Sequence, residues 1–430
     1  MSEGYIKLTA FDEKEGSHKK MKNTIYIIDV TNRDGVQTSR LGLAKLEKTL
    51  LNFYLDEAGV FQSEFGFPVT RHETNYLNAN LELAEIGVLK HIRLAGWLRA
   101  IKGDVEEAFR LVPKLKHVNL SISTSKQMIE GKFRGKFGWE DIIREMCEAV
   151  DAARAHGAET IGVNAEDASR TELERLIEFA EAAKQHDADR IRYCDTLGYD
   201  DPFTIYERVK ALAEAVCIPI ELHCHNDLGM AVACSVAGAK GAIDAGVDAY
   251  INTTVNGMGE RAGNADLVAT ILAVKKASGF EKKYHLQDID LSHAWKICKY
   301  ASLSFRVPIP VNQPAVGDNA FAHESGIHAD GTLKDSRNYE LYDYTEVGRG
   351  HIEQIETGRL ITTGEYSGIK GFKNVAGKYE LKFRDDKEAR EILELVRYAN
   401  VHTQKPVTED EMKFIAKYPE YARKIMSVQP

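Results

Sequence analysis

The sequence predicts an α/β chain: a (β/α)8 TIM barrel followed by a smaller, mostly helical C-terminal subdomain. Three observations point there. Eight short apolar runs, at residues 24–30, 60–64, 91–94, 117–120, 160–163, 190–194, 219–223 and 249–252, have the length of buried strands. Segments of helical periodicity lie between them, among them 43–57, 141–156, 171–186, 202–215 and 230–245, and this alternation implies parallel strands joined by right-handed crossovers. Eight such units in about 250 residues fit a closed barrel better than an open doubly wound sheet.

The chain has 430 residues, more than one core usually serves. We divide it into a polar tail (1–22), the barrel (23–279), a helix and proline-rich linker (280–314) and the C-terminal subdomain (315–430). Hydrophobic residues make up 43% and charged residues 28%, the composition of a soluble globular protein. A net charge of −9 argues against nucleic-acid and anionic-membrane partners. The six cysteines are scattered without a disulfide or zinc spacing, and no run of about 18 apolar residues occurs, so a cytoplasmic location is expected.

Taken in order, the strands lead into the residues that carry chemistry. Arg33, Asp34 and Gln37 follow the first strand, and Glu64 with the Gly66-Phe67-Pro68 turn follows the second. Arg99 lies after the third, Ser121, Ser123 and Ser125 after the fourth. The fifth ends in Asn164 and Glu166, the sixth in Thr196, the seventh in His223-Cys224-His225, and the eighth in a glycine-rich stretch from Asn256 to Asn264. In a barrel these carboxyl ends converge on one mouth. Side chains alternate along a strand, so Glu221, His223 and His225 share a face. An isolated His-x-His is more often a hydrogen-bonded pair than half a metal site. Asp34, which alone reads as a turn former beside Gly35, supplies the carboxylate of an Asp/His/His set suited to Mn, Co, Zn or Mg, and Asn256 is a further oxygen ligand candidate. Arg33 beside Asp34 suits a 2-oxo acid, one group gripping its carboxylate while a metal polarises its ketone. The stretch with Asn256, Gly257, Gly259, Glu260 and Asn264 has two readings, a site for a phosphate-bearing cofactor or close backbone packing at the barrel rim. Beyond the linker, His323, His328 and Tyr339 are candidates for proton transfer.

The runs Asp29-x-Thr31-x-Arg33-Asp34-Gly35-x-Gln37, Glu166-Asp167, Asp195-Thr196-x-Gly198, His223-x-His225-x-Asp227-x-Gly229, Asn256-Gly257-x-Gly259-Glu260-Arg261-x-Gly263-Asn264 and Phe321-Ala322-His323-x-Ser325-Gly326-Ile327-His328-x-Asp330-Gly331 resemble the metal-dependent acyl-CoA condensing enzymes on a TIM barrel. These are the isopropylmalate, citramalate and homocitrate synthases. The resemblance runs from about residue 25 to 368, without the regulatory domain of leucine-sensing members, so leucine feedback is not expected. It implies a divalent metal on Asp34, His223 and His225, and a 2-oxo acid held by Arg33 and Thr196 with Gln37 close by. It also implies that His328 and Tyr339 reach across from the partner subunit of a swapped homodimer to assist enolisation of acetyl-CoA. Glu221 would help position that base.

The substrate is expected from the departures. Gly162 and Asn164 stand where homocitrate synthases hold an Arg and a Ser before the glutamate matching Glu166. Asn32 and Val36 replace commoner Leu and Glu, and Trp97 adds bulk. These changes narrow the pocket and leave Arg93, Arg99 and Asn164 for a dicarboxylate shorter than 2-oxoglutarate. The stretches at 29–37 (Asp-Val-Thr-Asn-Arg-Asp-Gly-Val-Gln) and 64–68 (Glu-Phe-Gly-Phe-Pro) look most like the Re-face citrate synthases. The expected reaction is a Claisen-type condensation of acetyl-CoA with oxaloacetate and release of CoA; homocitrate synthesis is the alternative, then isopropylmalate or citramalate synthesis. A metal-dependent lyase or aldolase on the same barrel is the non-synthase alternative.

Overall fold

A computed structural model describes residues 23–280, 283–351 and 360–429. The expected N-terminal tail lies outside the described residues. The first part of the chain alternates β1 (Thr24–Asp29), α1 (Lys45–Glu57), β2 (Gln62–Gly66), α2 (Thr74–Glu85), β3 (Arg93–Arg99), α3 (Lys102–Leu111) and β4 (His117–Ser123). It continues with α4 (Lys126–Lys132), α5 (Trp139–Ala155), β5 (Thr160–Glu166), α6 (Leu173–Gln185), β6 (Arg190–Asp195), α7 (Pro202–Val216), β7 (Ile220–Cys224), α8 (Ala231–Asp244), β8 (Ala249–Thr253) and α9 (Leu267–Lys276). Strands β1 to β8 pair in parallel in sequence order, and the barrel closes where Ile25 to Asp29 of β1 run beside Ala249 to Thr253 of β8 and Asp29 pairs with Ser63 of β2. The two-residue β9 (His285–Leu286) adds to the start of β1.

Every expected strand is present, but β3 runs to Arg99 and β5 to Glu166, beyond the apolar runs at 91–94 and 160–163. In β5 the residues that face the upper interior, Asn164 and Glu166, are polar, so the apolar pattern stops before the hydrogen-bonded ladder does. In β3 the stretch Ala95-Gly96-Trp97-Leu98 is apolar, and the strand starts and ends later than the run at 91–94. A bulge between Glu64 and Gly66 in the β2–β3 pairing occurs where Glu64 enters the interior.

The lower end of the barrel is closed by aromatic rings. Tyr26 lies 4.7 Å from Phe61 and 4.8 Å from Tyr250, centroid to centroid. Arg93 caps this plug with its guanidinium 4.5 Å from the Phe61 ring. Because parallel strands all start at this end, Arg93, first residue of β3, is roughly 20 Å along the strand from Arg99 and cannot serve a substrate at the mouth.

After the barrel come α10 (Ala294–Phe305), α11 (Gly326–Lys334), α12 (Ile369–Lys378), α13 (Asp386–Thr403), α14 (Glu409–Lys417) and α15 (Pro419–Met426). The last three pack on the α1–α2 flank, and one hydrophobic core runs through both parts. Polar ties cross the same seam: Tyr54 donates to Asp410 at 2.8 Å, Lys405 reaches Glu47 at 3.3 Å, and Lys424 reaches Glu82 at 2.6 Å. Among the described residues, no helix is long and apolar enough to cross a membrane.

Helices α7 and α8 meet at glycine. A Cβ on Gly241 would lie 2.5 Å from the Tyr206 carbonyl oxygen, so the helices must part to admit it. Gly241→Ala is expected to destabilise by about 1–3 kcal/mol, whereas Gly103→Ala in α3, where nothing lies within 4 Å, costs nothing. Denaturation midpoints of the two variants check this; equal midpoints would refute the close-packing account.

Candidate active site

The mouth begins where β1 stops. The amides of Arg33, Asp34 and Gly35 all donate to the Val30 carbonyl, at 3.1, 2.8 and 3.2 Å, which turns the chain sharply and presents Asp34 to the barrel axis. Thr31 secures this turn: its hydroxyl donates to Asp29 at 2.9 Å and accepts from the Val255 amide at 2.8 Å.

Asp34, His223 and His225 come together with one potential ligand atom each, all within 4.8 Å of one another and all buried. The His223 Nε2 stands 4.0 Å from Asp34 Oδ2. His223 has its tautomer set from behind. The Glu221 carboxylate only accepts, so the Asn252 amide turns its NH2 to Glu221 at 2.7 Å and its oxygen to His223 Nδ1 at 3.1 Å. The His223 Nδ1 therefore carries the proton and Nε2 faces Asp34 with its lone pair. Burial holds the His223 imidazole down to about 3 and lowers His225 too, so both rings are neutral, as ligands must be. Burial raises the Asp34 carboxyl, while the Arg33 guanidinium and the Asn264 hydrogen bond draw it down, and it lies below the usual range.

Asn256 does not join them. Its backbone is left-handed, with φ 58°, and its side chain donates to the Cys298 carbonyl of α10 at 3.0 Å, away from the cluster. The amide that reaches the cluster is Asn264, whose Nδ2 is 2.6 Å from Asp34 Oδ2. The glycines explain why. Residue 264 bridges to His225, and Gly263, with φ +93°, leaves only 2.0 Å between a would-be Cβ and the Gly257 oxygen. Within this chain the glycine-rich loop is thus a packing device that lowers Asn264 onto Asp34. The His225 Nδ1 and Asn264 Oδ1 are buried with no hydrogen-bond partner. Two orphaned polar atoms, an imidazole nitrogen and an amide oxygen, beside a carboxylate and a second neutral imidazole fit a divalent cation.

A cavity of about 250 Å³ opens from this cluster, lined also by Gln37, Trp97, Ser121, Asn164, Glu166, Arg192, Cys194, Thr196, Glu260 and Arg261. The Thr196 hydroxyl accepts from the Asp167 amide at 2.9 Å, which leaves its proton for a ligand. Arg33 gives Nε and Nη2 to Glu64 and Nη1 to Asp34, and its guanidinium lies 5.4 Å from the Trp97 ring. Two further N–H groups remain for a carboxylate. Glu166 is held by Lys132 at 2.7 Å and by Ser123.

Several expected site residues lie elsewhere. Arg99 pairs bidentately with Asp104, at 2.7 Å twice, with its side chain 58% exposed, and lines a neighbouring apolar pocket instead. Glu221 is fully buried, with its oxygens taken by Arg190, Arg192 and Asn252; it lies one layer below the cavity and does not line it. Asn32 turns outward to Lys48 and Asn52, so it does not narrow the pocket. Gly257 lines no part of the cavity, and neither do His328 and Tyr339, whose rings lie 4.3 Å apart, tilted by 34°, on an exposed part of the C-terminal region. The sequence reading missed Arg192, Lys132 and the role of Asn264 as nearest amide. A usable signal existed for the first: Arg190 and Arg192 alternate with apolar residues inside a strand, in phase with Cys194.

Residues 24–297 match the HMGL-like family, and residues 315–403 match the homocitrate synthase post-HMGL domain-like family. The chain belongs to the HMGL-like family. Relatives of full length agree with this membership. A citrate (Re)-synthase of Dehalococcoides mccartyi is 64% identical, over 94% of this chain and 98% of that protein. A 2-isopropylmalate synthase of Caldanaerobacter subterraneus is 40% identical over 92% and 96%, and a homocitrate synthase of Nostoc 32% identical over 93% and 99%. The HMGL-like barrel is also seen in a hydroxymethylglutaryl-CoA lyase structure from Pseudomonas aeruginosa, at a TM-score of 0.52 and 16% identity over 66% of this chain and 92% of that one. At that identity the likeness concerns the fold alone.

Replacing the acceptor behind His223 is expected to weaken metal binding without unfolding the chain. For Asn252→Leu we expect Mn(II) affinity to drop about 10- to 100-fold. Titration of Mn(II) followed by electron paramagnetic resonance reads this directly, and an unchanged affinity would remove Asn252 from the account.

Proposed function

We propose that this chain condenses acetyl-CoA with oxaloacetate to form citrate and free CoA. The observation that carries this is the 64% identity to citrate (Re)-synthase over nearly the whole of both chains, joined to a cavity that holds an Asp/His/His cluster and buried arginines. In balanced form, the acetyl-CoA methyl gives up a proton to a base, and the resulting carbanion attacks the ketone carbon of the 2-oxo acid. That oxygen takes up a proton, and water then cleaves the thioester to a carboxylate and CoA thiol. A divalent metal bound by Asp34, His223, His225 and Asn264 would supply the positive charge that polarises the ketone. Arg33 and the Thr196 hydroxyl orient the acid; Gln37, Asn164 and Glu166 border it, and Glu260 stands at the rim. Asn256 and Gly259 shape the loop beneath.

Oxaloacetate is favoured over 2-oxoglutarate by what surrounds Gly162. A Cβ there would lie 2.2 Å from Asn119 Oδ1, so no side chain reaches up from this position to extend the acid site. Thiol release from acetyl-CoA across oxaloacetate, 2-oxoglutarate, 2-oxoisovalerate and pyruvate should give the highest kcat/KM with oxaloacetate and none after chelation, restored by Mn(II). A higher value with 2-oxoglutarate would replace citrate with homocitrate synthesis.

The proton-transfer pair is proposed to come from a second copy of the chain. His328 and Tyr339 are exposed, and so are Ile327, Leu333 and Leu341 around them, apolar side chains at 76%, 88% and 71% exposure that suit burial against a partner. Co-expression of Asp34→Asn with His328→Ala tests the swap. Random pairing gives half heterodimers with one intact site each, so about a quarter of wild-type activity should return from two inactive parents. No recovery, despite exchange verified by mass spectrometry, would mean that each copy uses its own His328. The six cysteines are all free, which supports the reducing cytoplasm as the compartment.

A further inference from the structure

The cavity floor holds a cation that the proposed chemistry has not yet used. Arg192 is 1% exposed, yet it lines the cavity. Its Nε donates to Glu221 at 2.7 Å and its Nη2 is 2.5 Å from both Glu64 and Glu221, whereas Nη1 makes no hydrogen bond among the described residues. The guanidinium is thus locked on one edge and open on the other. Such a group meets a carboxylate without paying to order itself.

We propose that Arg192 receives the second carboxylate of the 2-oxo acid and so selects dicarboxylates over monocarboxylates; the assignment of oxaloacetate as that acid rests on the function proposed above. Elimination supports this. Arg99 and Arg93 point away from the cavity, and Arg261, spent on Asp227 and the Thr196 carbonyl, lies at the solvent edge with its side chain 38% exposed. Arg33 lies beside Asp34 and serves the carboxylate next to the ketone. Among the described cavity-lining residues, Arg192 is the remaining buried cation, on the strand next to Asn164. Charge points the same way. Arg33, Arg190 and Arg192 face two glutamates, Glu64 and Glu221, so the floor keeps one uncompensated positive charge. A divalent ion beside Asp34 leaves another. Together they balance a dianion, and a monoanion would leave one of them buried and unpaired.

The test compares acids that differ only in that group. 2-Oxobutyrate is oxaloacetate with a methyl in place of the second carboxylate, and 2-oxovalerate stands in the same relation to 2-oxoglutarate. With Mn-loaded enzyme, binding of each acid without acetyl-CoA is measured by calorimetry, and kcat/KM where turnover occurs. Arg192→Gln should lower affinity for the dicarboxylate on the order of 100-fold while changing that for its methyl analogue less than about 5-fold. Arg192→Lys, which keeps the charge but loses the fork, should fall between. A loss equal for both acids assigns Arg192 to structure alone and overturns the proposal, as does no loss for either. Should Arg192→Gln not fold, Arg192→Gln/Glu221→Gln restores the charge balance of the floor and is read by the same ratio. If the selective loss appears for 2-oxoglutarate against 2-oxovalerate, with oxaloacetate bound poorly by the wild type, Arg192 stands and the citrate assignment falls. A wild type that binds the methyl analogues as tightly as the dicarboxylates removes the role given to Arg192.

Discussion

Two buried glutamates hold the upper barrel together. Glu64, from β2, accepts from Arg33, from Arg192 and from Asn119; Glu221, from β7, accepts from Arg190, Arg192 and Asn252. TIM-barrel interiors are usually layers of branched aliphatic side chains. Here that layer is an ion lattice linking the loop after β1 with β2, β4, β6, β7 and β8. Charges in such a place are costly to desolvate, and they stay charged because each oxygen is met by donors. Burial raises the Glu64 carboxyl, but Arg192 and Arg33 outweigh it and hold it at about 2. The aromatic plug of Tyr26, Phe61 and Tyr250 closes the barrel beneath.

The lattice explains the geometry above it. Arg33 is anchored on Glu64 and so holds Asp34 from one side; Asn252 is anchored on Glu221 and so sets the proton on His223 from the other. The Asp34/His223/His225 cluster, assembled from both ends of the barrel sequence, is thereby placed from below by Glu64, Glu221 and Asn252, none of which lines the cavity. Removing one member would leave a charge buried without its partner, which typically costs 3–5 kcal/mol, more than removing a solvent-exposed pair. Sites of this kind tolerate little drift because the two glutamates beneath them have every oxygen paired.

The alternation of strands and helices made the barrel legible, and motif order made the Asp34/His223/His225 set legible, because both depend on short-range pattern. What escaped the sequence depends on side-chain direction. Asn256 and Asn264 sit in the same loop, and only the left-handed turn at 256 and the close passage at Gly263 decide which amide faces Asp34. Arg93 and Arg99 both lie on β3, yet they stand at opposite ends of one strand. Arg192 looked like part of a strand rather than a ligand, because nothing local reveals that two glutamates 128 and 29 residues away share its guanidinium. Glu221, in phase with the histidines, lies below the cavity and accepts from Asn252 without lining it.

A chain with a net charge of −9 that binds anionic acids must overcome its own surface. At physiological ionic strength the screening length is about 8 Å, so surface carboxylates more than one such length from the cavity contribute little. Inside the cavity screening is weak and the nearest charges dominate. The site therefore needs arginines within contact distance, and it needs them buried, since an exposed one such as Arg99 is paired and solvated before a ligand arrives. Burying arginines in turn requires buried glutamates to keep the empty barrel stable. The lattice is the consequence: the glutamates that make the arginines tolerable in the folded chain leave one edge of Arg33 and one edge of Arg192 unspent.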